Sequence, residues 1–374
     1  MNSLLSLGGV MSKIGAIAMA VFLLLFMVMV HEFGHYIAGK IFKFKIEEFS
    51  IGFGPAIFKK KNKSGELISL RALPLGGFCA FEGEDEEGES ENSFNKKSPW
   101  KRIIVLIAGG LMNIITAWLI IVLLFSCYGQ SMLKVGSDGG TGEYIGYSLQ
   151  ENDIIKSVNG REIYITGLDI NKALNGKDAG DIVKVEVYRK NAKGKYYIEK
   201  IDLKLRSDVN VSSATGSLSP SLKAMGVRVT EEEDGKYYVA ETVKHKHSFF
   251  STLGRSFVYV YKIVIYVYVV LGELIMGKLS LKMMGGPVTT IKMTSEMATY
   301  GFDYFLEIGA LIGANLGVFN LLPFPALDGA RVVFCGIEGV RKKPVSRKVE
   351  SIIHFAGLIF LFGFAILVDL LQFI

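Results

Sequence analysis

Four long segments of almost uninterrupted apolar residues constrain this chain more than any other feature of its sequence. They cover Ile14–Val30, with a continuation to Ala38, then Ile103–Tyr128, Phe305–Leu322 and Ile352–Ile374. A helix needs about 20 predominantly apolar residues to cross a bilayer. Half of the 374 residues are hydrophobic and only 21% are charged. The sequence therefore predicts a polytopic α-helical membrane protein with four core transmembrane helices, rather than a water-soluble enzyme.

A fifth segment, Phe257–Met276, is ambiguous because Lys262 and Glu273 interrupt it. Loops rich in lysine and arginine indicate the cytoplasmic side of a membrane protein. Such residues recur in residues 39–102 and again in residues 331–348. These two loops share a side only if an even number of membrane crossings separates them. We therefore predict that Phe257–Met276 lies on the outer surface of the bilayer instead of crossing it.

The residues between the second and third apolar segments have a different composition. They are polar and punctuated by glycine, and stretches such as Asp181–Arg189 alternate as half-buried strands do. About 120 residues suffice for one small domain and a connector. We predict four parts: residues 1–128 with two transmembrane helices and a cytoplasmic β-loop, 129–206 as an inserted extracytoplasmic α+β domain, 207–304 as a connector with juxtamembrane amphipathic helices, and 305–374 with the last two transmembrane helices.

The segment His31-Glu32-Phe33-Gly34-His35 carries two of the five histidines. Residues i and i+4 share one helix face, so both imidazoles can bind one zinc ion while Glu32 acts as a general base. A chance match or a packing role is the alternative reading of this motif when it stands alone. Ionisable residues within a transmembrane helix are costly to bury and usually functional, which favours the zinc site.

The other three histidines are weaker candidates. His245 and His247 lie in a basic stretch that is typical of a solvated or headgroup-facing surface. His354 lies near the start of the last apolar segment, and such a position is typical of an interfacial or packed core histidine.

A catalytic zinc site usually has three protein ligands and keeps one position for water. Asp328 is the best candidate for the third ligand. It is a lone acidic residue at the end of the third apolar segment, in the sequence Asn320-Leu-Leu-Pro-Phe-Pro-Ala-Leu-Asp328-Gly329. Two prolines in this sequence end the third apolar segment. The predicted topology places Asp328 on the same side as the histidines. An ordinary turn or helix-capping role is the alternative.

Together, these two motifs resemble the paired signature of the site-2 intramembrane zinc metalloproteases. Other segments are similar to the bacterial, sigma-factor-regulating branch of that family. Glu48–Pro55 and Leu73–Phe78 resemble its membrane-associated β-loop, and Gly109–Asn113 resembles its GxxxN element. Gly286-Pro287 and Asn315–Asn320 resemble elements of its later helices, and Asn152–Gly160 resembles the PDZ strand and turn. The chain departs from some relatives in having room for one PDZ-like domain, and Tyr144–Gln150 replaces the usual small residues before the PDZ signature.

The resemblance implies specific roles for residues of this chain. It assigns His31, His35 and Asp328 as ligands of Zn²⁺ and Glu32 as the catalytic base. It also implies that Asn320, with Asn113 and Asn315 as weaker candidates, binds substrate or the tetrahedral oxyanion.

The β-loop has an implied role of its own. A transmembrane substrate must unwind before its carbonyls are accessible, and exposed backbone is costly in lipid. Ile46–Phe53, and in particular Gly52, Phe53 and Gly54, is expected to offer an edge to which the unwound segment adds as a strand.

The resulting prediction is an intramembrane zinc endopeptidase of a bacterial plasma membrane, with its active site near the cytoplasmic side and its PDZ-like domain outside. Its expected partners are the lipid bilayer and single-pass membrane proteins such as anti-sigma factors or remnant signal peptides, and not nucleic acid. The oligomeric state stays open. A transporter or channel is the main alternative, since polar residues and broken helices also occur there. A non-catalytic, membrane-anchored PDZ scaffold is a third interpretation.

Overall fold

A computed structural model describes residues 7–84, 88–136, 149–206, 218–228 and 238–372, so that residues 144–148 of the predicted PDZ approach lie outside the described residues. In chain order, the helices and strands are α1 (Leu7–Ile41), β1 (Ile46–Lys61), β2 (Leu67–Phe81), α2 (Pro99–Cys127), β3 (Gln130–Val135), β4 (Ile154–Val158), β5 (Arg161–Glu162), α3 (Thr166–Leu174), β6 (Ile182–Lys190), β7 (Tyr196–Lys204), α4 (Leu218–Ala224), β8 (Val227–Arg228), β9 (Tyr238–His245), α5 (Phe249–Ile275), α6 (Pro287–Tyr300), α7 (Phe302–Asn320), α8 (Asp328–Arg341) and α9 (Arg347–Leu371). The chain forms two compact units, residues 1–121 with 260–374, and residues 122–259.

Within the described residues, five helices are long and apolar enough to cross a membrane, namely Lys13–Ile41 of α1 and all of α2, α5, α7 and α9. Four of them correspond to the predicted spans. Large apolar side chains on these helices face outward, such as Phe22 of α1 at 65% exposure and Phe362 of α9 at 68%. Such surface is costly in water but is matched by lipid tails. The chain is therefore a helical membrane protein. By length and composition alone, α5 is also able to cross a membrane.

Glycines allow three of these helices to pack closely in the first unit. A Cβ added to Gly34 of α1 would lie 2.4 Å from the carbonyl oxygen of Ala108 in α2. Gly110 of α2 and Gly317 of α7 are in similar contact, since a Cβ on Gly317 would lie 2.6 Å from the carbonyl oxygen of Gly110. Close backbone approach at small residues is a main source of helix association in membranes. It holds α1, α2 and α7 together where the polar residues meet.

The predicted β-loop exists, but its strands fold back on one another. Lys61 pairs with Leu67 across the turn, while Phe49 pairs with Cys79 on one side and with Ile68 on the other. Residues 48–51 are therefore inside the sheet. The expectation that Ile46–Phe53 provides a free edge is wrong, because two neighbouring segments already pair with this strand. Among the described residues, the segment 77–81 has a strand partner on one side only, and its Gly77 lies beside α1.

A buried acid fixes the β-loop to the end of α1. Glu66, which is 5% exposed, accepts hydrogen bonds from Lys40 Nζ at 2.5 Å and from the hydroxyl of Tyr36 at 3.1 Å. A buried carboxylate is tolerated only when it is paired and hydrogen-bonded. The sheet is consequently held along the part of α1 that carries the histidine motif.

The second unit is an α+β domain. Its sheet has the strand order β7-β6-β4-β3-β9-β8, with β5 paired to β4, and its neighbours are antiparallel except for β8 and β9. The Asn159-Gly160 turn between β4 and β5 has positive φ at both residues, as a tight hairpin turn requires. Because β9 pairs with β3, this unit extends past the predicted boundary at residue 206 into the segment predicted as a connector.

The structure also changes the interpretation of two histidines. His245 is 9% exposed and packs between Tyr188 and Tyr196, with ring centroids 4.6 and 4.9 Å away. Burial and the charge of Arg255 lower the pKa of His247 to about 4. These side chains belong to an aromatic cluster in the second unit, so their predicted placement on a solvated surface is wrong.

Candidate metal centre and active site

The two histidines of the predicted motif lie on one face of α1. Their Nε2 atoms are 3.1 Å apart, and their rings meet edge to face with centroids 4.7 Å apart. Both residues are 7% exposed. The i, i+4 spacing of an α-helix produces this pairing, so the sequence-based prediction of a shared face is confirmed.

Asp328 meets both histidines from a distant part of the chain. Its Oδ2 atom lies 3.0 Å from Nε2 of His31 and 3.2 Å from Nε2 of His35. Asp328 is the first residue of α8, and residues 321–327 connect α7 to it. Gly329 allows this connection to pack against the start of α8, since a Cβ there would lie 2.1 Å from the carbonyl oxygen of Leu322.

These three atoms fit a zinc ion. Bonds of about 2.0–2.1 Å in a tetrahedral zinc site place its ligand atoms about 3.3 Å apart. The observed separations of 3.0, 3.1 and 3.2 Å form one face of such a tetrahedron. Among the described residues, the polar atoms that face the buried Asp328 Oδ2 are the Nε2 atoms of the two histidines, and a cation between the three atoms would satisfy the carboxylate and both imidazoles. Two imidazoles and one carboxylate are also the donor types of a catalytic zinc site.

Hydrogen bonds on the far side of each ring prepare the histidines for a metal. His35 Nδ1 donates to the carbonyl oxygen of Val105 at 2.8 Å, so its Nε2 lone pair is available to an ion. His31 Nδ1 faces two side-chain amides, those of Asn320 at 3.3 Å and Asn113 at 3.5 Å. Amide oxygen and nitrogen are assigned from such networks, and an amide oxygen at this position would accept the Nδ1 proton.

The predicted asparagines therefore differ in location. Asn113 is fully buried and contacts His31, so an orienting role for the ring fits it better than contact with substrate. Asn320 shares that contact but is partly exposed. Asn315 is partly exposed on α7, about 140° around the helix from Asn320. Within the described residues, it makes no hydrogen bond to the histidines or to Asp328.

The third member of the motif, Glu32, faces the same space as the three candidate ligands. A cavity of about 740 Å³ is lined by His31, Glu32, His35 and Asp328 together with β2 residues that include Phe78 and Ala80. Gly77 of β2 lies against this side chain, since a Cβ there would lie 3.5 Å from Glu32 Cγ. The side chain therefore lies between α1 and β2.

Gly52, Phe53 and Gly54 are not among the residues that line this cavity. Gly52 and Gly54 have φ of +88° and +79°, a conformation that favours glycine. The ring of Phe53 stacks on Phe78 with centroids 6.2 Å apart. Phe53 therefore contacts Phe78, which lines the cavity, but Phe53 does not line the cavity itself.

Sequence reasoning missed two features of the site. Arg331 lines the cavity and forms an ion pair with Glu84; its position one helical turn after Asp328 is a signal that could have identified it. Gly109 lies directly against the metal-binding atoms, since a Cβ there would lie 2.4 Å from His35 Nε2 and 2.8 Å from His31 Cε1. Its place in the GxxxN element gave no hint of this contact.

Two histidines of an HExxH motif and an aspartate, held within a bundle of apolar helices, define a zinc metalloprotease of the membrane. The family model for peptidase family M50 matches residues 19–364 of the chain. The protein therefore belongs to peptidase family M50, the site-2 proteases, and Zn²⁺ is its cofactor.

Bacterial relatives with zinc metalloprotease in their names agree with this assignment. The chain is 31% identical to such a protein of Fusobacterium nucleatum over 94% of this chain and 96% of the relative. It is 30% identical to relatives from Clostridium perfringens, over 92% and 94% of the two chains, and from Clostridium acetobutylicum, over 92% and 91%.

Gly109→Ala is expected to weaken zinc binding about 10- to 100-fold, because the added methyl group forces both imidazoles out of place. Equilibrium competition with a chelator measures this change in the purified protein. The matched control is Gly336→Ala in α8, where an added Cβ has no neighbour within 4 Å. Equal zinc affinity in both variants would show that the close contact at Gly109 does not position the ligands.

Proposed function

We propose that this protein is an intramembrane endopeptidase that cleaves transmembrane segments of single-pass membrane proteins. In this proposal, His31, His35 and Asp328 hold the zinc ion and Glu32 acts as general base and acid. The observation that carries it is the triangle of three ligand atoms, 3.0–3.2 Å apart, with the carboxylate of Glu32 on the same cavity. We infer that the substrates are proteins such as anti-sigma factors or remnant signal peptides in a bacterial plasma membrane.

When bound, zinc polarises a peptide carbonyl and makes water nucleophilic near neutral pH. Glu32 takes the proton that the water loses and returns it to the nitrogen of the departing fragment. The Glu32 side chain lies between α1 and β2, on the cavity that the three candidate ligands also line. The Asn320 amide is partly exposed beside His31, and it supplies a neutral donor for the substrate or the developing oxyanion.

Glu32→Gln is expected to retain zinc and to lose about 10²- to 10⁴-fold in cleavage rate, because the amide cannot accept the proton. Metal analysis and cleavage of a model transmembrane peptide in vesicles measure the two quantities together. Glu91→Gln, in an exposed loop, is the control that changes charge equally. Cleavage at the wild-type rate by Glu32→Gln would contradict the proposal, and transport of a solute without cleavage would favour a transporter.

The substrate is proposed to bind as an added strand along residues 77–81. This segment pairs with β1 on one side, and its residues Phe78–Phe81 line the cavity that contains Glu32. An unwound helix needs new partners for its backbone groups in lipid, and a strand edge provides them at regular spacing.

We expect a single cysteine near the scissile bond of a model substrate to cross-link to Ala80→Cys, in a chain that lacks its three native cysteines and carries Glu32→Gln. Ala80 lines the cavity. The matched position is Ile51→Cys, which lies inside the sheet with partners on both sides. Gel shifts after mild oxidation report the cross-links. Equal cross-linking at both positions, or at neither, would count against strand addition.

The directions of the helices support a topology with four crossings. α1 and α7 run in the same direction and α2 runs in the opposite one. The contacts that establish these directions are Leu23 with Gly309, Met27 with Gly313, Asn113 with Gly313 and Gly110 with Gly317. α2 therefore ends on the side of the bilayer where α7 begins. An even number of crossings must lie between them, and α5 is the one helix of sufficient length in that interval of the described residues. We infer that α5 lies at the outer surface and that the second unit, which we take to be PDZ-like, is extracytoplasmic.

Cysteine labelling tests this topology in a chain without native cysteines. Ser248→Cys and Lys278→Cys, at the two ends of α5, are both expected to react with an impermeant maleimide added outside intact cells. Lys61→Cys, in the basic β-loop, is expected to react only after the membrane is opened. If Lys278→Cys reacts only after the membrane is opened, as Lys61→Cys is expected to do, then α5 crosses the membrane. That result would contradict an even number of crossings between α2 and α7.

A further inference from the structure

The turn that carries Asp328 into the site has a conformation that its own sequence does not favour. Leu327 N–H donates to the carbonyl oxygen of Phe324 at 3.1 Å, with Pro325 and Ala326 between them. Ala326 has φ of +76°. A turn with proline second and a positive φ third is of type II, which strongly prefers glycine at the third position. An alanine there requires support from outside the turn.

One face of α9 supplies this support. His354 Nδ1 accepts a hydrogen bond from the Ala326 N–H at 3.0 Å. Three residues later, Gly357 lets the helix contact the turn, since a Cβ there would lie 2.4 Å from Pro325 Cβ. Three residues further, the ring of Phe360 lies 5.5 Å from that of Phe324. Residues spaced in this way share one helix face.

We propose that His354 is a positioning residue that holds the Ala326 turn so that Asp328 reaches the two histidines. Ala326 is two residues before Asp328, and the hydrogen bond from its N–H to α9 fixes the backbone that leads into α8. This inference rests on the proposed role of Asp328 as a zinc ligand. Among the described residues, those that line the cavity do not include His354, so we assign its effect on the metal to its hydrogen bond with the turn.

The hydrogen bond requires an acceptor at the position of Nδ1. Neutral histidine has one at this atom when its proton is on Nε2. Asparagine places its Oδ1 at the same number of bonds from the backbone and can replace it. Phenylalanine keeps a ring beside Phe334, whose centroid is 5.7 Å from that of His354, but has no acceptor. The two substitutions therefore separate the hydrogen bond from the packing.

The experiment measures the zinc dissociation constant of the full-length protein by chelator competition, together with the cleavage rate of a model transmembrane peptide. His354→Phe is expected to weaken zinc binding about 10- to 100-fold, as loss of an outer contact to a metal site commonly does. His354→Asn is expected to bind zinc almost as tightly as the wild type. Phe355→Leu, on the 64% exposed neighbouring residue, is the control and is expected to leave the zinc affinity unchanged.

The outcomes distinguish this inference from the proposed function. If Asp328→Ala loses zinc but His354→Phe does not, the positioning role is overturned while the ligand assignment stands. If His354→Asn loses as much affinity as His354→Phe, packing rather than the acceptor supports the turn, and the proposal is also wrong. If Asp328→Ala retains full zinc affinity, the ligand assignment itself fails. Should His354→Phe not fold, His354→Leu and His354→Asn, which match in size, make the same comparison.

Discussion

Asp328 meets His31 and His35 at the centre of the candidate site. This contact joins α1 to α8 across nearly 300 residues of sequence, and it places two buried histidines and a partly buried aspartate beside apolar helices. Such burial is costly unless a cation satisfies all three. The glycine contacts among α1, α2 and α7 bring the backbones close enough for this meeting. Gly109 leaves room for the rings, and the turn before α8 delivers the carboxylate.

Much of this arrangement could be predicted from the sequence because it follows from local rules. The apolar segments identify four helices because lipid forces backbone groups to pair within a helix. The i, i+4 spacing of His31 and His35 fixes their shared face. The pairing with Asp328 could be anticipated from chemistry, since a zinc site needs a third ligand and the predicted topology places Asp328 on the same side as the histidines.

The features that could not be predicted depend on contacts between distant segments. Nothing in Ile46–Phe53 indicates that residues 67–70 pair with it from the side opposite to 77–81, so the sequence alone predicts a free edge on a strand that has partners on both sides. The pairing of β9 with β3 likewise moved a domain boundary that composition placed at residue 206. Asn113 is a weaker candidate for contact with substrate, because its sequence position does not distinguish that role from a hydrogen bond between helices. Only its full burial against His31 shows that it faces the ring.

X-ray absorption at the zinc edge of the purified protein reports the ligands of the bound ion. We expect nitrogen and oxygen ligands at about 2.0–2.2 Å, with the outer-shell scattering of two imidazoles, and the loss of one imidazole in His35→Ala. The chain has three free cysteines, Cys79, Cys127 and Cys335. A sulfur ligand at about 2.3 Å, or an unchanged imidazole count in His35→Ala, would contradict a site built from His31, His35 and Asp328.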